Sequence, residues 1–234
     1  MDNRELMGIR ADTLFAYDGR GRMLGSNSPD RHPAPRLFLG CTPAGYVARL
    51  SATVPDALAG RITGIIERQP PPGDLRAPPA ALAALAALRE ALEGHAPITA
   101  ETAGPAYRFP ASIAPPSEAV QLTEANVQVA RTSYPWLLDE LPDWWPCFAV
   151  VQDGAAVSVC FSSRIGVEAA EAGVETLPDF RGRGYAVAVT AAWGAAIRAS
   201  GRIPLYSTAW ENLASQGVAR HLGLIMFGTD ITWA

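Results

Sequence analysis

Lysine is absent from this 234-residue chain: all 19 basic residues are arginine. That absence removes a P-loop lysine, a Schiff-base lysine and a pyridoxal-phosphate anchor at once. Histidine is scarce, and His32, His95 and His221 are too scattered to suggest a metal site. Cys41, Cys147 and Cys160 are odd in number and widely spaced, with no C-x-x-C. They read as reduced, buried thiols and not as a disulfide framework or a zinc site. No apolar run reaches the ~18 residues of a membrane span, and the opening MDNRELMGIR lacks the apolar core of a secretion signal. The expectation is a cytoplasmic protein without a membrane partner. A net charge of -4 is the wrong sign for a general nucleic-acid footprint. No G-x-S-x-G is present, so a serine-hydrolase elbow has no support.

What is present suits a folded chain. Hydrophobic residues make up 49% of the chain and charged residues 18%, which excludes a disordered chain. The length allows one large domain or two small ones. In the first half, Leu14-Phe15-Ala16-Tyr17 and Arg22-Met23-Leu24 flank Asp18-Gly19, a hairpin signal. A second hairpin is expected around Thr42-Pro43-Ala44-Gly45, and a helix over 56–68. Five prolines between 69 and 79 mark a linker. Leu82, Leu85, Leu88 and Leu92 then recur at helical spacing up to Gly94. Pro105, Pro110, Pro115 and Pro116 predict an irregular stretch, and the domain boundary is drawn there, giving domains 1–115 and 116–234.

From Glu118 the pattern becomes regular. A short strand at 120–122 precedes a helix capped by Thr123 and running to about 133. Strands follow at 145–152 and 155–165, joined at Asp153-Gly154, and a third at 171–177. A helix over 184–200 carries Val189, Trp193 and Ile197 on one face. A strand (203–209), a helix (212–222) and a final strand (224–233) complete the chain.

The most informative segment is Pro178-Asp179-Phe180-Arg181-Gly182-Arg183-Gly184-Tyr185-Ala186, between a predicted strand and a predicted helix. Glycines allow close backbone approach, and the start of a helix presents free N–H groups with a favourable dipole. Such a turn binds anions. Four arginines and no acidic residue lie between Phe180 and Trp210, in a chain that is net acidic. The turn is not a Walker A loop, which needs Gly-Lys-Ser/Thr. Nor is it a dinucleotide fingerprint, because Val187 stands where the third glycine would be.

Arg181-x-x-Gly184-x-Ala186 resembles the pyrophosphate loop of the GNAT superfamily of acyl-CoA-dependent N-acyltransferases. Trp210-Glu211-Asn212-Leu213-Ala214-Ser215, followed by Leu222-Gly223-Leu224, is similar to that family's second CoA-side motif. The resemblance covers residues 118–234. It implies an α/β (α+β) fold with a mixed, mostly antiparallel, twisted sheet flanked by helices, preceded here by a smaller α+β N-terminal domain. That first half is open to being a diverged, shortened copy of the same fold, packed as a pseudo-dimer.

The resemblance further implies acetyl-CoA as cofactor and a primary amine, on a small molecule or peptide, as acceptor. A homodimer is compatible with it. The backbone of Val174 and Thr176 would hold the pantetheine and the acyl carbonyl. Amides of Arg181, Gly182, Arg183, Gly184 and Tyr185, with Ala186 completing the motif, would hold the pyrophosphate. Asn212 and Ser215 would line the far wall. Glu175 is the first choice of general base, with Glu171 and then Glu168 as alternatives. Side-chain alternation puts Glu171 and Glu175 on one strand face. One departure stands out: where many family members carry a tyrosine as general acid, seven residues after Asn212, this chain has Ala219. Tyr206, Ser207, Thr208 and His221 are the nearby substitutes. The aromatic group Tyr134, Trp136, Trp144 and Trp145 is read as core with a rim that could line an acceptor pocket. The competing reading is a non-catalytic acyl-CoA-binding regulator.

Overall fold

The computed structural model describes residues 1–73, 75, 83–113 and 118–234. In chain order the elements are α1 (Asn3–Leu14), β1 (Phe15–Tyr17), β2 (Met23–Ser26), β3 (Leu37–Thr42), β4 (Gly45–Leu50), α2 (Asp56–Glu67), α3 (Ala83–Glu93) and β5 (Glu101–Arg108). They continue with β6 (Ala119–Gln121), α4 (Leu137–Glu140), β7 (Phe148–Gln152), β8 (Ala155–Ile165), β9 (Ala169–Thr176), α5 (Tyr185–Ala199), β10 (Ile203–Ser207), α6 (Leu213–His221) and β11 (Ile225–Trp233). The chain divides into two compact units. One comprises Met1–Tyr107, Ser207–Asn212 and Met226–Ala234; the other comprises Arg108–Tyr206 and Leu213–Ile225. The boundary expected at 115/116 falls among residues outside the described ones, as does Leu82 of the leucine series.

In the first unit the strand order is β4-β3-β11-β5, with β1 and β2 forming a separate hairpin. Both predicted hairpins form. The helices α2 and α3 bury Ile62, Leu88 and Leu92 against Leu37, Leu39 and Trp233 of the strands. Two elements here were not legible in the sequence. The helix α1 is capped by Asp2, whose carboxylate accepts the Glu5 N–H at 2.8 Å; it buries Leu6, Met7 and Ala11. The stretch around Pro105 is the strand β5, not an irregular segment. Pro105 has no N–H to give, and its carbonyl is the group that pairs, accepting the Thr208 N–H at 3.4 Å.

In the second unit the order is β10-β9-β8-β7-β6, antiparallel throughout except for the β9–β10 pair. The face of α5 carrying Val189, Trp193 and Ile197 is buried, as its spacing predicted. On the opposite face of the strands Tyr134, Leu137, Trp144, Val159 and Phe161 form a second core. The helix expected over 123–133 is a correction: only a 3-10 turn at Val127–Ala130 forms there. The strand expected from 145 begins at Phe148, because Pro146 lacks a donor for the ladder. Among the described residues no helix is long and apolar enough to cross a membrane.

Candidate functional site

The site grows from a mismatch between two strands. β9 runs antiparallel to β8 from Ile165↔Ala170 to Ser158↔Thr176. β10 pairs with the other edge of β9 at three positions only: Ile203↔Ala169, Pro204↔Ala170 and Leu205↔Glu171. Past Glu171 that edge of β9 has no strand partner among the described residues.

The direction of each backbone group follows from the ladder. Odd-numbered positions turn towards β8: the Leu177 N–H donates to the Val157 carbonyl (3.0 Å) and the Gly166 N–H to the Ala169 carbonyl (2.8 Å). Even-numbered positions turn the other way, as the Ile203 N–H donating to the Glu168 carbonyl at 2.9 Å demonstrates. The peptide groups of Ala172, Val174 and Thr176 therefore face the opening. One of them is already engaged, since Arg181 Nε donates to the Thr176 carbonyl at 3.2 Å.

At the end of this opening the chain passes through a 3-10 turn, Pro178–Phe180, into α5. Gly182 (φ +75) and Gly184 (φ +83) both take the left-handed conformation, and Gly184 is the N-cap of α5. A Cβ at either would meet nothing within 4 Å. The glycines are thus needed for backbone shape, and the space beside them is open. No side chain caps α5, so its first-turn N–H groups face outward without an intrahelical acceptor. Arg183 lies over the Phe180 ring at 5.1 Å and donates to the Asp179 carbonyl at 2.9 Å. Arg181 and Arg183 are both exposed. The result is a positive, backbone-lined cradle continuous with a strand edge that has no strand partner among the described residues.

The carboxylates differ in setting. Glu175 is exposed by surface area, yet the protein around it removes enough water to raise its pKa above the ordinary carboxylate value. Its carbonyl accepts from Ser158 Oγ (3.2 Å) and Tyr134 Oη (3.5 Å). Burial and the Glu175 charge together push the Tyr134 phenol up to about 12. Glu171 shares the strand face with Glu175 but is only 4% exposed. Glu168 is exposed at the opposite end of β9, where β10 closes the edge. Trp136, Trp144 and Phe161 pack edge to face at 5.1–5.4 Å between centroids, so this aromatic group is built as core; Trp145 is exposed.

Of the second motif, Asn212 immediately precedes α6, its N–H donating to the Ala209 carbonyl at 3.1 Å. Ser215 lies in the first turn of α6, and its Oγ is 2.6 Å from Tyr206 Oη. Ala219 is 1% exposed. His221 is turned back on its own helix, Nδ1 lying 2.7 Å from the Gly217 carbonyl. The cysteines are buried, and burial pushes the Cys41 and Cys147 thiols up to about 12. Among the described residues no group of three or more His, Cys, Asp or Glu is arranged to hold a metal ion.

Residues 147–228 match the family model of the GNAT acetyltransferases. This segment is similar to the GNAT acetyltransferases. The match contains the splayed strands, the glycine turn and α6, and the segment is a mixed sheet flanked by helices, as the resemblance implied. No curated protein matches the chain. Among solved structures it is similar to one described as a GNAT-family acetyltransferase from Novosphingobium aromaticivorans DSM 12444, at 18% identity and a TM-score of 0.49. That match covers 58% of this chain and 65% of the other, so the chain spans just under two thirds of that relative. It is also similar to a GCN5-related N-acetyltransferase-like protein from Streptococcus suis 89/1591 (16% identity, 86% and 85% of the two chains, TM-score 0.48). A third likeness is to the aminoglycoside N-acetyltransferase AAC(6')-Iy in complex with CoA (24% identity, 45% and 89%, TM-score 0.37).

Proposed function

We propose that the protein transfers an acetyl group from acetyl-CoA to a primary amine by direct attack on the thioester. The observation that carries this reading is the open edge of β9 running into the glycine cradle at the start of α5. An extended arm bearing amides and ending in a pyrophosphate fits both parts. Its amides add to the strand edge at Val174 as an extra strand would. Its phosphates meet the N–H groups from Gly182 to Ala186, with Arg181 and Arg183 beside them. Ser215 supplies a polar group at the α6 side.

CoA supplies an activated thioester when bound. The chain must then align the amine, stabilise the oxyanion and take one proton. The Val174 N–H, pointing into the opening, is the oxyanion donor. Glu175 takes the amine proton. Desolvation raises its pKa above the ordinary carboxylate value, which favours proton uptake. Glu171, 4% exposed, is too enclosed to meet a free amine.

Ala219 motivates a second reading, an acyl-CoA-binding regulator without turnover. One assay separates the two: acetyl-CoA, the purified protein and a panel of small-molecule and peptide amines, with released thiol as the readout. Amine-dependent thiol release supports the transferase. Binding of acetyl-CoA with no release across the panel favours the regulator.

A further inference from the structure

We propose that Ser158, buried in β8, is a positioning residue for the cofactor arm: it polarises the Glu175–Thr176 peptide, whose N–H faces the opening. This rests on the acyl-CoA reading above. The carbonyl and N–H of a trans peptide point in opposite directions. Glu175 is an odd-numbered position, so its carbonyl turns towards β8. The N–H of the same peptide, on Thr176, turns towards the opening. Arg181 marks that direction, because its Nε reaches the Thr176 carbonyl at 3.2 Å from the cradle. With an arginine on that carbonyl, what the edge presents at Thr176 is a donor. The position next to the cradle therefore suits a carbonyl oxygen of the arm and not an N–H.

Behind this peptide stands a chain of hydroxyls. Ser158 is fully buried, and its Oγ donates to the Glu175 carbonyl at 3.2 Å. The same Oγ lies 2.7 Å from Thr176 Oγ1, its cross-strand neighbour. A serine hydroxyl carries one proton. While Ser158 serves Glu175, the proton between the two hydroxyls comes from Thr176. The hydrogen bonds then run in one direction, from Thr176 Oγ1 to Ser158 Oγ to the Glu175 carbonyl, and through the peptide to the Thr176 N–H. Each bond in such a chain strengthens the next, and burial strengthens all of them. The buried Tyr134 hydroxyl lies 3.2 Å from the Val157 carbonyl and 3.5 Å from the Glu175 carbonyl, which ties down the same end of the β8–β9 ladder.

The arrangement keeps binding apart from proton transfer. Ser158 pairs with Thr176 and shares its face of the strands, whereas the Glu175 carboxyl lies on the other face. Removing the Ser158 hydroxyl therefore weakens one backbone donor without touching the proposed base or the glycines of the cradle. Only a ligand that reaches Thr176 should sense the loss. CoA carries the amide-bearing arm. Adenosine bisphosphate, the end of CoA without the arm, carries phosphates alone to the cradle.

The test titrates CoA and adenosine bisphosphate into wild type, Ser158→Ala and Ser158→Thr by calorimetry. Ser158→Ala should raise the CoA Kd by about 3–10-fold, the effect of one neutral hydrogen bond, and leave the bisphosphate Kd unchanged. Ser158→Thr keeps the hydroxyl and should restore CoA binding. In amide NMR spectra, added CoA should move the Thr176 amide proton downfield in wild type and by less in Ser158→Ala. An unchanged CoA Kd, equal losses for the two ligands, or equal movement of the Thr176 amide overturns the assignment. If Ser158→Ala does not fold, Thr176→Val removes the first hydroxyl of the chain and should show the same selective loss of CoA; a loss shared by the bisphosphate, or none, overturns it equally. A wild type that binds neither CoA nor acetyl-CoA overturns the acyl-CoA reading itself. A wild type that binds CoA and is indifferent to Ser158→Ala overturns only the role of Ser158.

Discussion

The Phe161 ring occupies the place where a side chain on Gly173 would be: a Cβ built there would lie 2.5 Å from Phe161 Cε2. The two residues face each other across β8 and β9. Gly173 sits between Glu171 and Glu175 on one strand face, so the ring separates the two carboxylates. It also carries Trp136 and Trp144 on its edges. A missing side chain thus locks the aromatic core to the strand that bears the proposed base.

Gly173→Ala is therefore expected to destabilise by about 1–3 kcal/mol, the usual cost of overpacking. The added methyl must displace a ring already wedged between two tryptophans. Phe161→Leu in the same chain should recover part of the loss, since it removes the clash. Chemical denaturation of the two single variants and the double variant measures this as a coupling energy. Additive effects would mean that the ring moves aside freely.

Glu175→Gln is expected to lower kcat/KM by about 10²–10⁴-fold and to abolish the rise of kcat/KM with pH on the acid limb. Stability should respond in the opposite sense. The carboxyl has a folded pKa above its unfolded value of 4.5, so the folded state binds the proton more tightly. The charged form then costs the fold stability once pH exceeds the folded pKa, and the cost is absent below about 4.5. The melting temperature of Glu175→Gln should exceed that of wild type at neutral pH, and the two should converge in acid. Thermal melts at several pH values decide this.

Arg10 and Asp230 form an enclosed ion pair in the first unit, Nη1 to Oδ2 at 2.6 Å, with the Asp230 side chain 13% exposed. Asp230→Asn removes a countercharge from the enclosed guanidinium, and should cost about 3–5 kcal/mol. Replacing both residues with apolar ones of similar volume should cost much less than the single change. Urea midpoints of the three variants test the claim, and a near-neutral Asp230→Asn would contradict it.

The sequence was most legible where local chemistry alone dictates structure. Asp153-Gly154, the apolar face of α5 and the glycine turn from Arg181 to Ala186 were all read correctly as elements, because each depends on residues within one turn or one helix face. α1 was missed because its buried positions include Arg10 and Thr13, which look solvent-facing until Asp230 is brought alongside. β5 was missed because Pro105 and Gly104 are poor strand residues. They are tolerated where a carbonyl is the group that pairs: the Gly104 carbonyl accepts from Thr229 Oγ1 at 2.7 Å. At the site, the motif residues were legible but their settings were not. Which β9 peptides face the opening depends on the register with β8 and β10, and so does the enclosure of Glu171. The approach of Tyr206 to Ser215 depends on how α6 packs, which no local spacing specifies.

The central claim is that the β9 edge and the cradle at Gly182–Gly184 form one acyl-CoA site. Calorimetric titration of acetyl-CoA into wild type and Gly184→Glu tests it most directly. The substitution forces a side chain onto a residue at φ +83 and places a negative charge at the helix start. Wild type should bind acetyl-CoA with a Kd on the order of micromolar, and Gly184→Glu, with its fold checked by circular dichroism, should show no binding. Equal binding by both proteins, or none by wild type, would contradict the account.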